Sequence, residues 1–286
     1  MDDTRLQKAA AAIAAVEARE ADELAFVARV FVQATLPHSD PGNVAFFART
    51  NGDVTLAVQP GYGAGVPYGV YPRLLLAWIN TEVVRTRSRT LILGRSLSDF
   101  MRAVGVVPSY GPKGTVAGFR EQVRRLLRCR VTAEWGEGAT EVWRSMEVAT
   151  AYSPFWDDTP GSTPVWGRTV TLGEAFFAAL LRSPVPLDLR ALHALRESPL
   201  GLDLYAWVSH RLSYAREPVA VSWDDLHAQF GAGYNTPHEF ARKTKRELSR
   251  IATVWPALRY ETPRGRLILW PSPPLVARAE RLSACS

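Results

Sequence analysis

The sequence predicts an α+β fold in which one unit occurs twice after an N-terminal helix, and three observations predict it. First, LLLAWINTEVVRTRSRTLILGRSLSDFMRAVGV followed by GFREQVRRLLRC has the same layout as LDLYAWVSHRLSYAREPVAVSWDDLHAQFGA followed by EFARKTKRELSRI. Each reads as a long apolar helix, a short strand, a capped short helix and a helix crowded with Arg and Lys. Second, the copies align at Ala77-Trp78 with Ala206-Trp207, Thr90 with Val219, Asp99 with Asp225 and Phe119 with Phe240. Third, alternating runs that read as a hairpin follow each basic helix. Helix, strand, helix, helix, hairpin is the order of a winged helix-turn-helix, so the expectation is two tandem winged-helix domains related by duplication. The repeat is too coarse for a solenoid, whose period is about 20–50 residues.

The 286 residues suffice for two domains with their own cores. The expected division is an arm over 1–35, a first domain over 36–185 and a second over 186–286. A net charge of +6 and an isoelectric point near 9.5 suit a polyanionic partner, but the placement of the charge decides. The two cysteines, Cys129 and Cys285, make no disulfide framework, and no Cys/His spacing resembles a zinc site. The N-terminus has charges throughout its Ala-rich run, unlike a signal peptide, and no stretch of about 18 apolar residues exists. A cytoplasmic protein with no membrane partner is the expectation.

Residues 4–34 read as helix, with Leu24, Val27, Val30 and Phe31 on one stripe. It would dock on the first domain, fray as an arm or serve dimerisation. LPHSDPG breaks it, and VAFFART and DVTLAV, joined at Asn51-Gly52, read as a hairpin added to the first domain's sheet. The Gly-rich 61–69 lacks the Lys-Ser/Thr of a phosphate loop and reads as a linker. A strand from Thr90 to Leu93 precedes a helix capped by Ser96 or Ser98. RVTAEW and TEVWRSMEVATAY, joined by GEGA, read as the first wing. A DDTPGSTP loop, the strand VWGRTVTL and the helix EAFFAALL follow, and SPVPLDL reads as the domain boundary. In the second copy Ser222 caps a helix with acids in its first turn. Thr236, Pro237 and Glu239 make a capping box at the next, and LRYETPRGRLILW closes the unit as a hairpin.

A DNA-reading helix needs an apolar side for its own domain and a cationic side for the groove. At ~100° per residue, Val116, Phe119, Val123, Leu126 and Leu127 gather on one side of the first basic helix. Arg120, Arg124, Arg125 and Arg128 fan across the other, with Lys113 and Thr115 at the entry. On the second, Phe240, Leu248 and Ile251 lie inward with Thr244. Arg242, Lys245, Arg246 and Ser249 face out, with Lys243 and Arg250 on the flank. A merely solvated face would mix signs. Here one acid, Glu121 or Glu247, stands near each face against four or more bases. Arg bonds guanine bidentately while Lys mostly serves phosphate, so Arg120, Arg124, Arg242 and Arg246 are the base-reading candidates. Arg264 and Arg266 suit the second wing to phosphate or minor groove. Glu134, Glu137 and Glu141 exclude the first wing, and Arg85, Arg87 and Arg89 fit either a phosphate contact or a solvated turn.

No catalytic, cofactor or metal site is expected. His38, His193, His210, His227 and His238 are scattered one per element, and Asp157-Asp158 and Asp224-Asp225 are neighbours, not facing carboxylates.

YPRLLLAWINTEVVRTRSRTLILGRSLSDFM, FWDD, VWGRTVTLGEAFF, PVPLDLRALHALRESPLGLDLYAWVSHRLSY and SWDDLHAQFG closely resemble the plasmid replication initiators of the RepA type over roughly residues 36–272. That resemblance implies tandem winged helices that bind repeated origin sites in double-stranded DNA. It also implies an inverted repeat at the initiator's own promoter and recruitment of the host initiator and replicative helicase. On the family's pattern GFREQVRRLLRC and EFARKTKRELSRI stand where the DNA-reading helices are. Related initiators switch between a repressing dimer and an origin-binding monomer; here a homodimer would use the first domain or the N-terminal helix. The rival readings are a winged-helix transcriptional repressor and, from another class, a rolling-circle nicking enzyme.

Overall fold

The structure, a computed structural model, describes residues 2–137, 140–153, 168–231 and 233–276. Cys285, Asp157-Asp158 and the FWDD and DDTPGSTP runs lie outside the described residues. After α1 (Asp2–Ala15) comes a turn in which Asp22 adopts a left-handed φ of 56°. β1 (Leu24–Ala28) and the short α2 (Arg29–Gln33) follow. β2 (Phe47–Asn51) and β3 (Val54–Gln59) form the expected hairpin. Asn51 pairs with Val54, so the two loop residues are Gly52 and Asp53. Gly52, at φ 57°, supplies the positive φ at the first of them, the type II′ pattern.

The first long apolar helix is α3 (Val70–Thr86), followed by β4 (Thr90–Ile92), α4 (Leu97–Ala103) and α5 (Thr115–Arg128). Then come β5 (Arg130–Glu137), β6 (Thr140–Glu147), β7 (Ala149–Tyr152), β8 (Thr169–Leu172), α6 (Glu174–Arg182), β9 (Pro184–Asp188) and α7 (Leu189–Ala194). The second long apolar helix, α8 (Pro199–Leu212), restarts the order: β10 (Val219–Ser222), α9 (Trp223–Phe230), α10 (Pro237–Val254), β11 (Tyr260–Glu261) and β12 (Arg266–Leu269). The start of the short helix is built alike in both segments. Ser96 Oγ accepts from the Asp99 amide and donates to its carboxylate at 2.7 Å. Ser222 does the same with Asp225, at 2.6 Å to the carboxylate.

Two sequence readings are corrected here. The helix predicted over 4–34 ends at Ala15, because Leu24–Ala28 finds an antiparallel partner in β9, more than 150 residues on. A ladder with a distant strand overrides local helix propensity. By the same pairing SPVPLDL is not merely a boundary but contains a strand, with Val185, Leu187 and Asp188 buried. The second correction concerns the first wing. β5 and β6 do form a hairpin, but it joins β3 in a four-stranded sheet of order β2-β3-β5-β6. β4 instead pairs with β8, which pairs with β7, giving the order β4-β8-β7. That matches the β10-β12-β11 order of the second segment. Alternation and a turn glycine predict a hairpin, but which strand it joins is a long-range choice. The added β2–β3 hairpin therefore extends the sheet of β5 and β6, not that of β4.

Aromatic rings bind each short helix to its neighbours: Trp78 meets Phe100 at 5.0 Å and Phe100 meets Phe119 at 5.7 Å, while Trp207 meets Phe230 at 5.9 Å, all edge-on. Nearly all the buried apolar residues form one cluster running through both segments. At the seam Arg73 of α3 is buried and bidentate to Asp203 of α8, with both bonds at 2.8 Å. Its remaining donors reach the carbonyls of Leu36, Pro37 and Gly69, and His38 Nε2 lies 2.8 Å from the same carboxylate. Burial opposes the charge on Asp203, but Arg73 and His38 outweigh it and hold its pKa below the usual range. The N-terminal helix packs on α7 and α10, not on the first segment. Arg190 donates to the carbonyls of Ala12 and Val16 at its end, and Arg5 to that of Ala194. No helix among the described residues is long and apolar enough to cross a membrane.

Candidate nucleic-acid interface

α10 starts from a designed-in cap: Thr236 Oγ1 accepts from the Glu239 amide at 3.2 Å, and Pro237 occupies the first turn, where a missing N–H costs nothing. Phe240, Thr244, Leu248 and Ile251 are fully buried, which fixes the roll of the helix. Arg242, Lys245, Arg246 and Ser249 consequently face solvent, and Lys243 is half-buried on the flank. Lys245 lies over the Trp223 ring, its Nζ 5.6 Å from the centroid.

Glu247 and Arg250 are not on the outer side. Both are buried, and Arg250 donates to Glu247 at 2.6 Å. Glu247 follows Phe240 by seven residues, two helical turns, and that spacing was the available sign that it turns inward. Its removal from the surface leaves the outer face cationic. Arg246 lies 3.9 Å from it but keeps 67% of its side chain exposed, so that contact is weak.

The β11–β12 hairpin stands beside this face. Arg266 pairs with Ser222 in the ladder, and Gly265, at φ 87°, accepts through its carbonyl from the Trp223 amide. The tip is thereby tied to the start of α9, and Arg264 and Arg266 are exposed on it.

α5 repeats the build but not the surroundings. Val116, Phe119, Val123, Leu126 and Leu127 are buried, as is Gln122, whose side-chain oxygen accepts from the Tyr68 amide. The loop expected to be a linker, 61–69, lies along the other side. Arg124 is bidentate to Glu121 at 2.9 Å and also donates to the Gly63 carbonyl. Arg125 donates to Glu121 at 2.7 Å and to Val66 at 3.2 Å, lies 3.6 Å from Asp40, and sits over the Tyr68 ring. Arg128 donates to the Tyr62 carbonyl. Glu121, bonded first by Arg124 and then by Arg125, is held below the ordinary carboxylate pKa. The fit is close: a methyl group at Gly61 would lie 2.2 Å from the Arg128 carbonyl oxygen, and one at Gly65 2.7 Å from the Arg125 guanidinium.

At the entry of α5, Lys113 is exposed and Arg120 is half-buried. Thr115 spends its hydroxyl locally, donating to the Val107 carbonyl at 2.8 Å and accepting from the Ser109 amide at 2.9 Å. In the 85–89 run, Arg85 pairs with Glu82 at 2.6 Å and Arg89 lies 3.7 Å from Glu174. The structure thus leaves Arg242, Lys245, Arg246, Ser249, Arg264 and Arg266 exposed, holds Arg124 and Arg125 half-buried against the loop, and leaves Arg128 exposed at the loop's edge. Among the described residues no group of three His, Cys, Asp or Glu is placed to hold a metal ion.

A family model described as plasmid encoded RepA protein matches residues 66–225, more than half of the chain. The match runs from the end of the Gly-rich loop through α5 to α9 and stops before α10. No curated protein matches the sequence. Among solved structures, domains 2 and 3 of RctB are similar, with a TM-score of 0.50 at 12% identity over 85% of this chain and 98% of that one. A second structure of RctB domains 2–3 gives 0.48 at 14% identity over 84% and 94%. At such identity the first of these likenesses speaks for the fold alone.

Proposed function

We propose, from the premise that this chain belongs to the family of plasmid encoded RepA proteins, that it starts plasmid replication by binding double-stranded DNA at repeated origin sites. The two segments, 36–185 and 186–286, act as tandem winged-helix domains with β7–β8 and β11–β12 as their wings. The observation that carries the DNA reading is the exposed cationic face of α10, from which Glu247 is withdrawn, flanked by Arg264 and Arg266. Lys245, Lys243, Arg264 and Arg266 neutralise phosphates and release counterions, which sets affinity and makes it salt-dependent. Arg242 and Arg246 carry the planar donors that read guanine edges, with Ser249 as a further polar contact. Lys113, exposed just before α5, and Arg120, half-buried on it, supply the second grip. Bound copies recruit the host initiator and replicative helicase, the step that turns binding into initiation.

Footprinting on the DNA flanking its own gene tests this. Several protected direct repeats beside an A·T-rich segment are expected. One protected palindrome at a promoter with no origin activity would leave a repressor, and a covalent protein–DNA adduct formed with divalent metal would leave a nicking enzyme.

A further inference from the structure

The four-stranded sheet buries one face, and that face is left open at one end. Register places Val54, Leu56 and Val58 of β3 on the same side as Trp135, Ala133 and Val131 of β5, and Ala133 and Val131 opposite Arg144 and Met146 of β6. Leu56, Val58, Val131 and Met146 are buried. Towards Val54 and Trp135 the cover stops, and a cleft of about 440 Å³ opens between the sheet, α2 and α6. This lies within the ~300–1,000 Å³ of cavities that engulf a compact ligand.

The cleft is apolar below and cationic at the rim. Val54, Trp135 and Ala179 line it, and Arg29, Arg144 and Arg182 stand around it, each exposed. None of the three has a carboxylate partner among the described residues; Arg144 lies over the Trp135 ring at 5.9 Å. Among the described residues Asp53 is the one carboxylate in the lining. The shape differs from that of α10, whose cations stand on a convex helix face that a duplex can meet. A concave site with unpaired guanidiniums over an apolar floor suits an inserted side chain flanked by carboxylates.

We propose that this cleft docks an acidic, amphipathic segment of a partner protein. An aliphatic or aromatic anchor enters between α2 and α6 against Trp135, and flanking Asp or Glu side chains pair with Arg29, Arg144 and Arg182. The proposal stands apart from the DNA reading, since it uses none of those residues.

The test selects a phage-displayed library of random short peptides on the full chain at physiological salt, then measures the enriched peptides by anisotropy. Enrichment of a large apolar residue between acids is expected. Affinity falls at least about tenfold, 1.4 kcal/mol, in Arg144→Glu/Arg182→Glu, and as much in Ala179→Trp, which fills the cleft without changing charge. Melting curves and DNA binding, unchanged in the charge variant, report an intact fold should Ala179→Trp fail to fold. Enriched acidic peptides that bind both variants as tightly as the parent would sit on the basic helices and overturn the proposal. So would peptides that keep their affinity when the apolar anchor is replaced by Ser, since any polyanion, DNA included, would then suffice.

Discussion

α5 and α10 carry the same pattern, an apolar stripe under a row of bases, and differ in what lies against the bases. On α10 the nearest acid is turned inward to Arg250, and the outer cations meet solvent. On α5 the acid stays outside, takes three bonds from Arg124 and Arg125, and a glycine-rich loop lies against Arg124 and Arg125 through backbone carbonyls, with the exposed Arg128 reaching one more. A guanidinium bonded to carboxylate and carbonyl must give up those bonds before it meets a base or phosphate. Equal charge on two helices is therefore not equal availability, and the second helix holds the readier surface.

The largest expected effect tests whether the two helices stand in one frame. Asp203→Ala leaves Arg73 buried beside carbonyls with no carboxylate, which costs about 3–5 kcal/mol. One cooperative melting transition should shift down as a whole; a shift confined to half the unfolding signal would separate the helices' supports. Acid acts on two other groups, each half-buried. Burial lowers the pKa of His193, packed against Gly105 between α4 and α5, to about 4, and that of His210 in α8 to about 4. Both are neutral in the fold and bind protons more readily unfolded, so their contribution is full above about pH 6.5 and lost as pH falls towards 4. Thermal melts across that window should show the loss, and His193→Gln should flatten it.

Next comes the comparison itself. Arg242→Ala and Arg246→Ala should each cost about 1–3 kcal/mol of origin affinity, and more against the cognate repeat than against random DNA. Arg124→Ala and Arg128→Ala should each cost less than about 1 kcal/mol in the same titration; equal losses on the two helices would break the asymmetry. Gly61→Ala sharpens it, because the added methyl collides with the Arg128 carbonyl and lifts the loop. The salt dependence of DNA binding should then steepen by about one or two phosphate contacts. A slope unchanged in the properly folded variant would make the loop a passive cover. The smallest effect belongs to the two caps: Ser96→Ala and Ser222→Ala should each lower stability by about 1 kcal/mol, and by similar amounts, since their geometry is the same.

Local features were legible in the residues. The Ser96 and Ser222 caps, the Thr236 capping box, the β2–β3 hairpin and the packed sides of both basic helices all depend on spacings of seven residues or fewer. The misreadings share a different origin. Leu24–Ala28 had a helical stripe but a strand partner at 184–188, and the β5–β6 hairpin looked like a wing until β8 took the place beside β4. Glu247 reads as an acid beside the outer face, although its seven-residue distance from Phe240 places it on the inner one. The loop over α5 gave no sign at all, because its bonds run from side chains to carbonyls some 60 residues away.

The sequence by itself determined that a helix-strand-helix-helix order occurs twice and that each copy ends in a basic amphipathic helix, since periodicity and capping are written over one or two turns. Tertiary structure alone decided which hairpin lies beside β4, how Arg73 and Asp203 join the two segments, and which of the two cationic rows stays open. Those outcomes rest on distant chain segments competing for the same edges, charges and carbonyls, and no local pattern records who wins.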